Sequence, residues 1–349
     1  MNGFLGIIRI GLDPDLAEWG PFILSWLGFF TFVAVVVAVA LVTYWVKRDE
    51  GIIPDTTFSI AIWCIIGGVV GSRILHVIDH LTDPNSYVGA LYKNDPGNIF
   101  YVWQGGIAII GAISGGWLAG IAYLSIRNQS WFINFWNSRL SWLGSLAVVA
   151  MPSRGRLSDI AAPALLLAMA IGRIGDIING EHFSLPTSLP WGFVYTHEQT
   201  QALYQNMQAP YLAIVSQHPA IVYEMILDLV VFGIIWFVLK GRLRPHGMLF
   251  ASYAALYSLG RFFISFIRLD DEKLMRLDLA QVCCLIILAV SVFLLISKAQ
   301  VVKRIQRPGG RTEPEVGLKI NWVIYIYYTK RSEGSLMITG RDRRDALIP

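Results

Sequence analysis

The chain has 349 residues, 55% of them hydrophobic and only 15% charged, with a formal net charge of +4 and a mean hydropathy of +0.54. A soluble domain of this size carries about 25% charged residues. The composition therefore excludes an ordinary soluble enzyme or a nucleic-acid-binding module and points to a chain that crosses a membrane repeatedly. Cys64, Cys283 and Cys284 all lie in apolar runs, which argues against a disulfide framework, and their spacing suits no metal ion.

Taken in chain order, the apolar runs predict seven transmembrane helices, at roughly 21–46, 57–79, 99–125, 158–177, 219–240, 247–268 and 278–297. The first is too long for a signal-peptide core and lacks a small-residue cleavage site, so it reads as a helix that stays. The Trp-rich stretch 128–150 reads as an amphipathic segment lying in the interface. An eighth span there is the alternative, but it would break the alternation of charge described next. The expected fold class is an all-α polytopic membrane protein of about seven helices with a small outward-facing head. No internal repeat is visible.

Basic residues set the direction. Lys47 and Arg48 follow the first run, Arg127, Arg139, Arg154 and Arg156 the third, Lys240, Arg242 and Arg244 the fifth, and Lys298, Lys303, Arg304 and Arg307 the seventh. The segment 177–217 has no Lys or Arg. The positive-inside rule then predicts the N-terminus outside and the C-terminus inside. The chain divides into a transmembrane domain, 1–298, and a basic cytoplasmic tail, 299–349. The former carries a head at 180–217 and an interfacial insertion at 128–156. Within the tail, INWVIYIYYTK alternates weakly like a strand.

With that orientation, polar residues of five spans reach the same outer depth. Arg73 lies on the second, Trp103, Gln104, Gly105 and Gly106 on the third, Arg173 and Asp176 on the fourth, His218 and Glu224 on the fifth, and Arg261 and Arg268 on the sixth. An ionisable residue inside a span costs several kcal/mol unless it meets a partner or water, so it marks a site by default. The competing account is snorkelling, in which an Arg near a helix end reaches headgroups. Spacing counts against it for Arg173 and Arg261. Arg173 and Asp176 share a helix face at i, i+3, and Arg261, Ser265 and Arg268 share one at i, i+4, i+7. Arginines gathered in a low-dielectric pocket suit an anion, because the planar guanidinium binds phosphate in bidentate fashion. The phosphate on hand in the outer leaflet belongs to a phospholipid, which Arg173, Arg261, Arg268 and Arg73 would hold. Asp176, Asn179 and Glu181 would orient them or handle a proton. The glycines of span three, Gly105, Gly106, Gly111, Gly115, Gly116 and Gly120, read first as close helix packing.

The stretch GRIGDIINGEHFSLPTSLPWG (172–192) is close to the pattern GR-x-GN-F-x-NGE … PT-x-x-PWG. With GSRILHV (71–77), WQGGIAI (103–109), HPAIVYE (218–224), YSLGRFFISFIRLDD (257–271) and Gln281, it resembles the bacterial phosphatidylglycerol–prolipoprotein diacylglyceryl transferase family over roughly 20–300. The resemblance implies that Arg173, Asn179, Glu181, Arg261 and Arg268 occupy family site positions and that Gly105 and Gly106 belong to the span-three motif. It also implies a reaction: the diacylglyceryl group of phosphatidylglycerol moves to the cysteine thiol of a prolipoprotein and glycerol phosphate leaves, with no cofactor and no metal. Four positions depart from the family. Ile110 stands where it has His or Tyr, Asp176 where it has Asn, Ser265 where it has Glu, and Leu27 before Gly28 where it has Tyr. Asp176 and Ser265 together keep the charge constant, so Asp176 is expected to partner Arg261 in place of the missing Glu.

The implied chemistry needs a base, since a thiol of pKa about 8.5 must lose its proton before it attacks. It also needs cations to hold the charge of the leaving phosphate. Arg173 and Arg261 suit the second need. For the first, Asp176, Glu181, His182 and His218 are candidates, and both histidines also read as ordinary interfacial residues. Asp176, Glu181 and Arg261 are the expected catalytic residues, with Gly105, Gly106, Asn179, Glu224 and Ser265 in support. Trp191 and Tyr195 of the head would admit the peptide or belong to an aromatic belt. The alternative function is a non-catalytic relative that binds lipid and serves as a subunit of a larger membrane complex, with the tail as partner surface. A transporter is disfavoured by the lack of repeat symmetry.

Overall fold

The computed structural model describes residues 7–20, 22–82, 87–101, 109–206, 211, 214–269, 272–274 and 277–302. The tail beyond residue 302, including its strand-like stretch, lies outside the described residues, as do Trp103, Gln104, Gly105 and Gly106. Among the described residues, six helices are long and apolar enough to cross a membrane: α1 (Trp26–Glu50), α2 (Pro54–Thr82), α6 (Arg154–Asn179), α8 (Ala220–Gly233, extended by a π-helical turn Ile234–Leu239), α9 (Met248–Ser265) and α10 (Leu279–Lys298). This is an all-α polytopic membrane protein. The expected third span corresponds to α4 (Ile109–Ile126), which is shorter. Its expected start at 99–100 belongs instead to a 3-10 turn, Pro96–Phe100, that follows α3 (Tyr87–Asn94). The stretch read as interfacial holds α5 (Ser130–Arg139), whose ten residues span only about 15 Å, half a hydrocarbon core.

Two of the long helices begin at recognisable caps. Ser25 Oγ accepts from the Gly28 amide to open α1, and Ser153 Oγ accepts from the Arg156 amide to open α6. The expected first span started too early. Residues 22–25 form strand β3, which pairs antiparallel with β2 (Asp15–Trp19), and the helix begins at Trp26. It then runs on to Glu50, because Lys47 and Arg48 in its last turn suit the helix C-terminus and Gly51 at φ 71° closes it. α9 begins at Gly247 with no side-chain cap of its own. Asp159 of α6 supplies one, its carboxylate accepting from the Gly247 amide at 2.8 Å and the Phe250 amide at 2.9 Å.

Packing follows the small residues. α2 lies along α4, where a Cβ on Gly115 would meet Gly71 Cα at 2.8 Å. α6 lies along α1, where a Cβ on Gly175 would meet Leu27 Cα at 2.8 Å and the Trp26 carbonyl at 3.0 Å. α8 and α9 complete a group around α6, with a core of Leu166, Val231, Ile235 and Leu249. At one end sits a head built from four pieces of chain. β1 (Ile8–Ile10) pairs parallel with β4 (Phe193–Tyr195), α7 (Glu198–Asn206) packs beside them, and Gln217 bridges to Phe193. Phe183, Phe193, Tyr195 and Tyr204 form its core. The opposite end carries the basic residues: Arg156 pairs with Glu50, and Lys240 lies 3.2 Å over the Trp236 ring. There β5 (Leu243–Arg244) pairs with Gln300–Val301, the first residues of the tail.

Candidate functional site

α6 ends in a left-handed cap at Gly180, φ 72°, where a Cβ would stand 2.8 Å from Tyr195 and Thr200. Two phenols of the head satisfy the carbonyls at that end. Tyr195 donates to Ile177 O at 2.9 Å and Tyr204 to Gly180 O at 3.2 Å. Burial pushes both phenols above their ordinary pKa, so they remain protonated donors. Tyr195 is thus a core residue of the head, not a surface for an incoming peptide. The chain after the cap is registered against the end of α9 by two main-chain bonds. Leu185 N donates to Ile267 O at 2.8 Å, and Leu269 N to Phe183 O at 3.1 Å. In this way the helix ends carrying Arg173, His182 and Arg268 are locked together.

At their centre is Glu224 of α8, with 0% of its surface exposed. Three guanidinium groups surround its carboxylate: Arg173 Nη2 at 2.5 Å, Arg268 Nη1 at 3.1 Å and Arg261 Nε at 3.3 Å. Arg261 also donates to Ser265 Oγ at 2.5 Å. Arg173 Nη1 reaches Asp176 at 3.1 Å, Asp176 Oδ1 lies 3.3 Å from His182 Nε2, and His182 Nδ1 lies 3.1 Å from Arg268 Nη2. Arg173, Asp176, His182, Arg268 and Glu224 therefore form a closed ring of ion pairs and hydrogen bonds, with Arg261 attached at Glu224. A buried carboxylate is tolerable only with such partners.

The structure corrects several expectations. Asp176 pairs with Arg173 and His182, not with Arg261, whose contacts include Glu224 and Ser265. The reason is position: Asp176 sits one turn beyond Arg173 on the same helix face and turns toward the head. Glu224, expected only in support, is the hub. Arg73 stands apart from the ring. Its guanidinium donates to the carbonyls of Asn98 and Ile99, each at 2.7 Å, and lies over the Tyr92 ring. Glu181 is exposed and outside the ring. Asn179 is buried, and its Nδ2 has no hydrogen-bond partner among the described residues. Gly105 and Gly106 lie outside the described residues, and Ile110 falls within α4. His218 turns away to Tyr223 Oη at 3.4 Å, and Trp191 Nε1 donates to the same oxygen at 2.8 Å.

One residue was missed. Asp228 lies one turn along α8 from Glu224, fully buried, and neither of its oxygens has a hydrogen-bond partner among the described residues. Its signal was plain, a carboxylate in the middle of an apolar span. Among the described residues no group of three or more His, Cys, Asp or Glu is placed to hold a metal ion. An open cleft of about 510 Å³ lies on the head, lined by residues that include Asp13, Glu18, His197 and Glu198, and does not reach the ring. The chemical capacity of the ring is clear from its parts: three guanidinium groups facing two carboxylates, with a half-buried imidazole at the rim.

Comparison with known proteins bears on this arrangement. The family model described as prolipoprotein diacylglyceryl transferase matches residues 14–151 and 141–297. A protein of Trichormus variabilis named phosphatidylglycerol–prolipoprotein diacylglyceryl transferase is 34% identical over 279 residues, covering 78% of this chain and 84% of its own. One of the same name from Dehalococcoides mccartyi is 31% identical over 290 residues, covering 83% of this chain and 95% of its own.

Proposed function

The chain belongs to the prolipoprotein diacylglyceryl transferase family, and we propose on that footing that it moves the diacylglyceryl group of phosphatidylglycerol to the lipobox cysteine thiol of a prolipoprotein. Glycerol phosphate is the product released. The observation that carries this reading is the convergence of Arg173, Arg261 and Arg268 on one fully buried carboxylate. Glu224 holds the three side chains in place and only partly offsets their charge. A phosphodiester entering beside them meets guanidinium groups that are already gathered, and its developing negative charge is stabilised as the ester bond breaks. Preorganised groups of this kind contribute several kcal/mol each. Asp176 and His182 continue the ring toward the head, where the peptide would arrive past Trp191.

The setting follows from the charges. The head would face the outside of a bacterial cytoplasmic membrane, and Lys47, Arg48, Arg154, Arg156, Lys240, Arg242 and Arg244 would face inward. The basic residues 299–349 would then meet the cytoplasm, open to a partner in the same membrane. The test is complementation. The chain is expressed in a bacterium depleted of its own diacylglyceryl transferase, and the mass of a reporter lipoprotein is followed. Gain of a diacylglyceryl group is the expected result. An inserted, well-expressed chain that modifies nothing overturns the reading and leaves a lipid-binding subunit in its place.

A further inference from the structure

We propose that His182 is the proton acceptor for the attacking thiol, and that arrival of the lipid phosphate is what uncovers it. The inference rests on the transferase reading and names its missing base.

The partners of the imidazole fix its state. Arginine only donates, so His182 Nδ1, 3.1 Å from Arg268 Nη2, is the accepting nitrogen and carries a lone pair. An ionised carboxylate only accepts, so Nε2, 3.3 Å from Asp176 Oδ1, carries the hydrogen. The ring is therefore a neutral imidazole with its basic nitrogen facing Arg268 and its N–H held by a carboxylate. That is the arrangement in which an Asp orients a His and steadies the imidazolium that forms when it takes a proton. The other titratable groups are worse placed. Asp176 has both oxygens engaged, by Arg173 and by His182. Glu181 is exposed and outside the ring, and His218 lies against Tyr223. Ile110 offers no titratable group.

As the structure stands, Nδ1 is covered by Arg268. That cover is conditional. In its bond to the imidazole only the donor is charged, whereas a phosphate oxygen adds the opposite charge and accepts in bidentate fashion, so an incoming phosphate outcompetes the imidazole for the guanidinium. Nδ1 is then uncovered, on a side chain that is already 31% exposed. The main-chain bonds at Leu185 and Leu269 hold the imidazole still while Arg268 turns. Lipid therefore binds before the peptide is activated.

The step balances without a further reactant. The thiol proton passes to Nδ1. The sulfur attacks the terminal glycerol carbon of the diacylglyceryl group, forming the C–S bond as the bond from that carbon to the phosphate ester oxygen breaks. The electron pair leaves on that oxygen, beside the arginines. The imidazolium returns its proton to the departing glycerol phosphate, and Arg268 recovers its place on Nδ1.

The test uses the full chain in phosphatidylglycerol vesicles and two lipobox peptides. One carries cysteine and the other selenocysteine, whose selenol is ionised at neutral pH and needs no base. His182→Gln is expected to lower kcat/KM by at least about a hundredfold on the cysteine peptide, the usual share of general base catalysis. On the selenocysteine peptide it is expected to stay within a few-fold of the unsubstituted chain. Equal loss on both peptides, or loss on neither, overturns the role of His182 while leaving the transferase reading intact. An unsubstituted chain that modifies neither peptide overturns both. For the gating, diethylpyrocarbonate acylation of His182, read by mass spectrometry, is expected several-fold faster in phosphatidylglycerol than in phosphate-free galactolipid vesicles. Equal rates overturn it.

Discussion

Replacing Glu224 by Gln tests the hub directly. The side chain is fully buried and lies between 2.5 and 3.3 Å from three guanidinium groups. The substitution keeps the volume, so no cavity term enters. What changes is charge and donor pattern. At an effective dielectric of about 20, each pair with charge centres about 4 Å apart contributes ~4 kcal/mol of gross attraction, most of it offset by desolvation. Removing one partner of a buried pair costs about 3–5 kcal/mol, because the others remain buried without it. The amide adds a second fault, since its NH2 group faces guanidinium donors. We expect Glu224→Gln to destabilise the chain by about 3–5 kcal/mol. Asp176→Asn, at a carboxylate that pairs with Arg173 and His182 at the rim, should cost about 1 kcal/mol. The double variant Glu224→Gln/Arg261→Gln should be more stable than the sum of its singles, since it removes one uncompensated charge. The assay is denaturant unfolding in micelles, followed by the fluorescence of the 12 tryptophans. A Glu224→Gln chain within about 0.5 kcal/mol of the unsubstituted one, or no worse than Asp176→Asn, would refute the account of Glu224 as the hub.

The same unfolding assay checks three more. Asp176→Asn should couple to His182→Gln by more than about 0.5 kcal/mol in a double-mutant cycle, and to Ser265→Ala by less than that. The reverse ranking would restore a partnership between Asp176 and the Arg261–Ser265 pair. On α6, Gly175→Ala should cost about 1–3 kcal/mol, because its Cβ meets the backbone of Leu27 and Trp26. Gly172→Ala, with nothing within 4 Å of its Cβ, should be neutral or stabilising by about 0.5–1 kcal/mol. Asp159→Ala should cost about 2 kcal/mol by uncapping α9, and hydrogen exchange should rise first at Gly247 and Phe250.

The membrane class and the convergence of charge on one end were legible in the sequence because hydropathy and spacing are local properties. Arg173 and Asp176 at i, i+3 were read correctly as neighbours for the same reason. What was illegible is long-range. Nothing local says that Glu224, rather than Asp176, faces Arg261, since that depends on how α8 turns against α6 and α9. Arg73 shows the same limit. It shares the depth of the other arginines, but the turn at Pro96–Phe100 places two carbonyls within its reach. Asp228 is a different case: it is legible in the sequence as a carboxylate in the middle of an apolar run, and the rule that marks intramembrane carboxylates applies to it. His182 reads in sequence as a base candidate and as an interfacial residue alike, because a residue two places after the Gly180 cap has no fixed direction there. The bonds joining 183–185 to 267–269 supply it.

The parallel pairing of β1 with β4 has a consequence for how the chain is made. Thr196 Oγ1 donates to Ile10 O, 186 residues earlier, so the head closes the longest loop among these contacts. Closing a flexible loop of that length costs about 5 kcal/mol in chain entropy, and such distant pairing makes folding slow. During synthesis the first strand must wait, unpaired, until α1 to α6 have emerged and residues 193–195 arrive. The strand β1 is therefore made well before the partner it needs and is among the last pieces of the head to find its place. A nascent chain cannot hold the arginine ring under its finished head until Arg268 has followed residues 193–195.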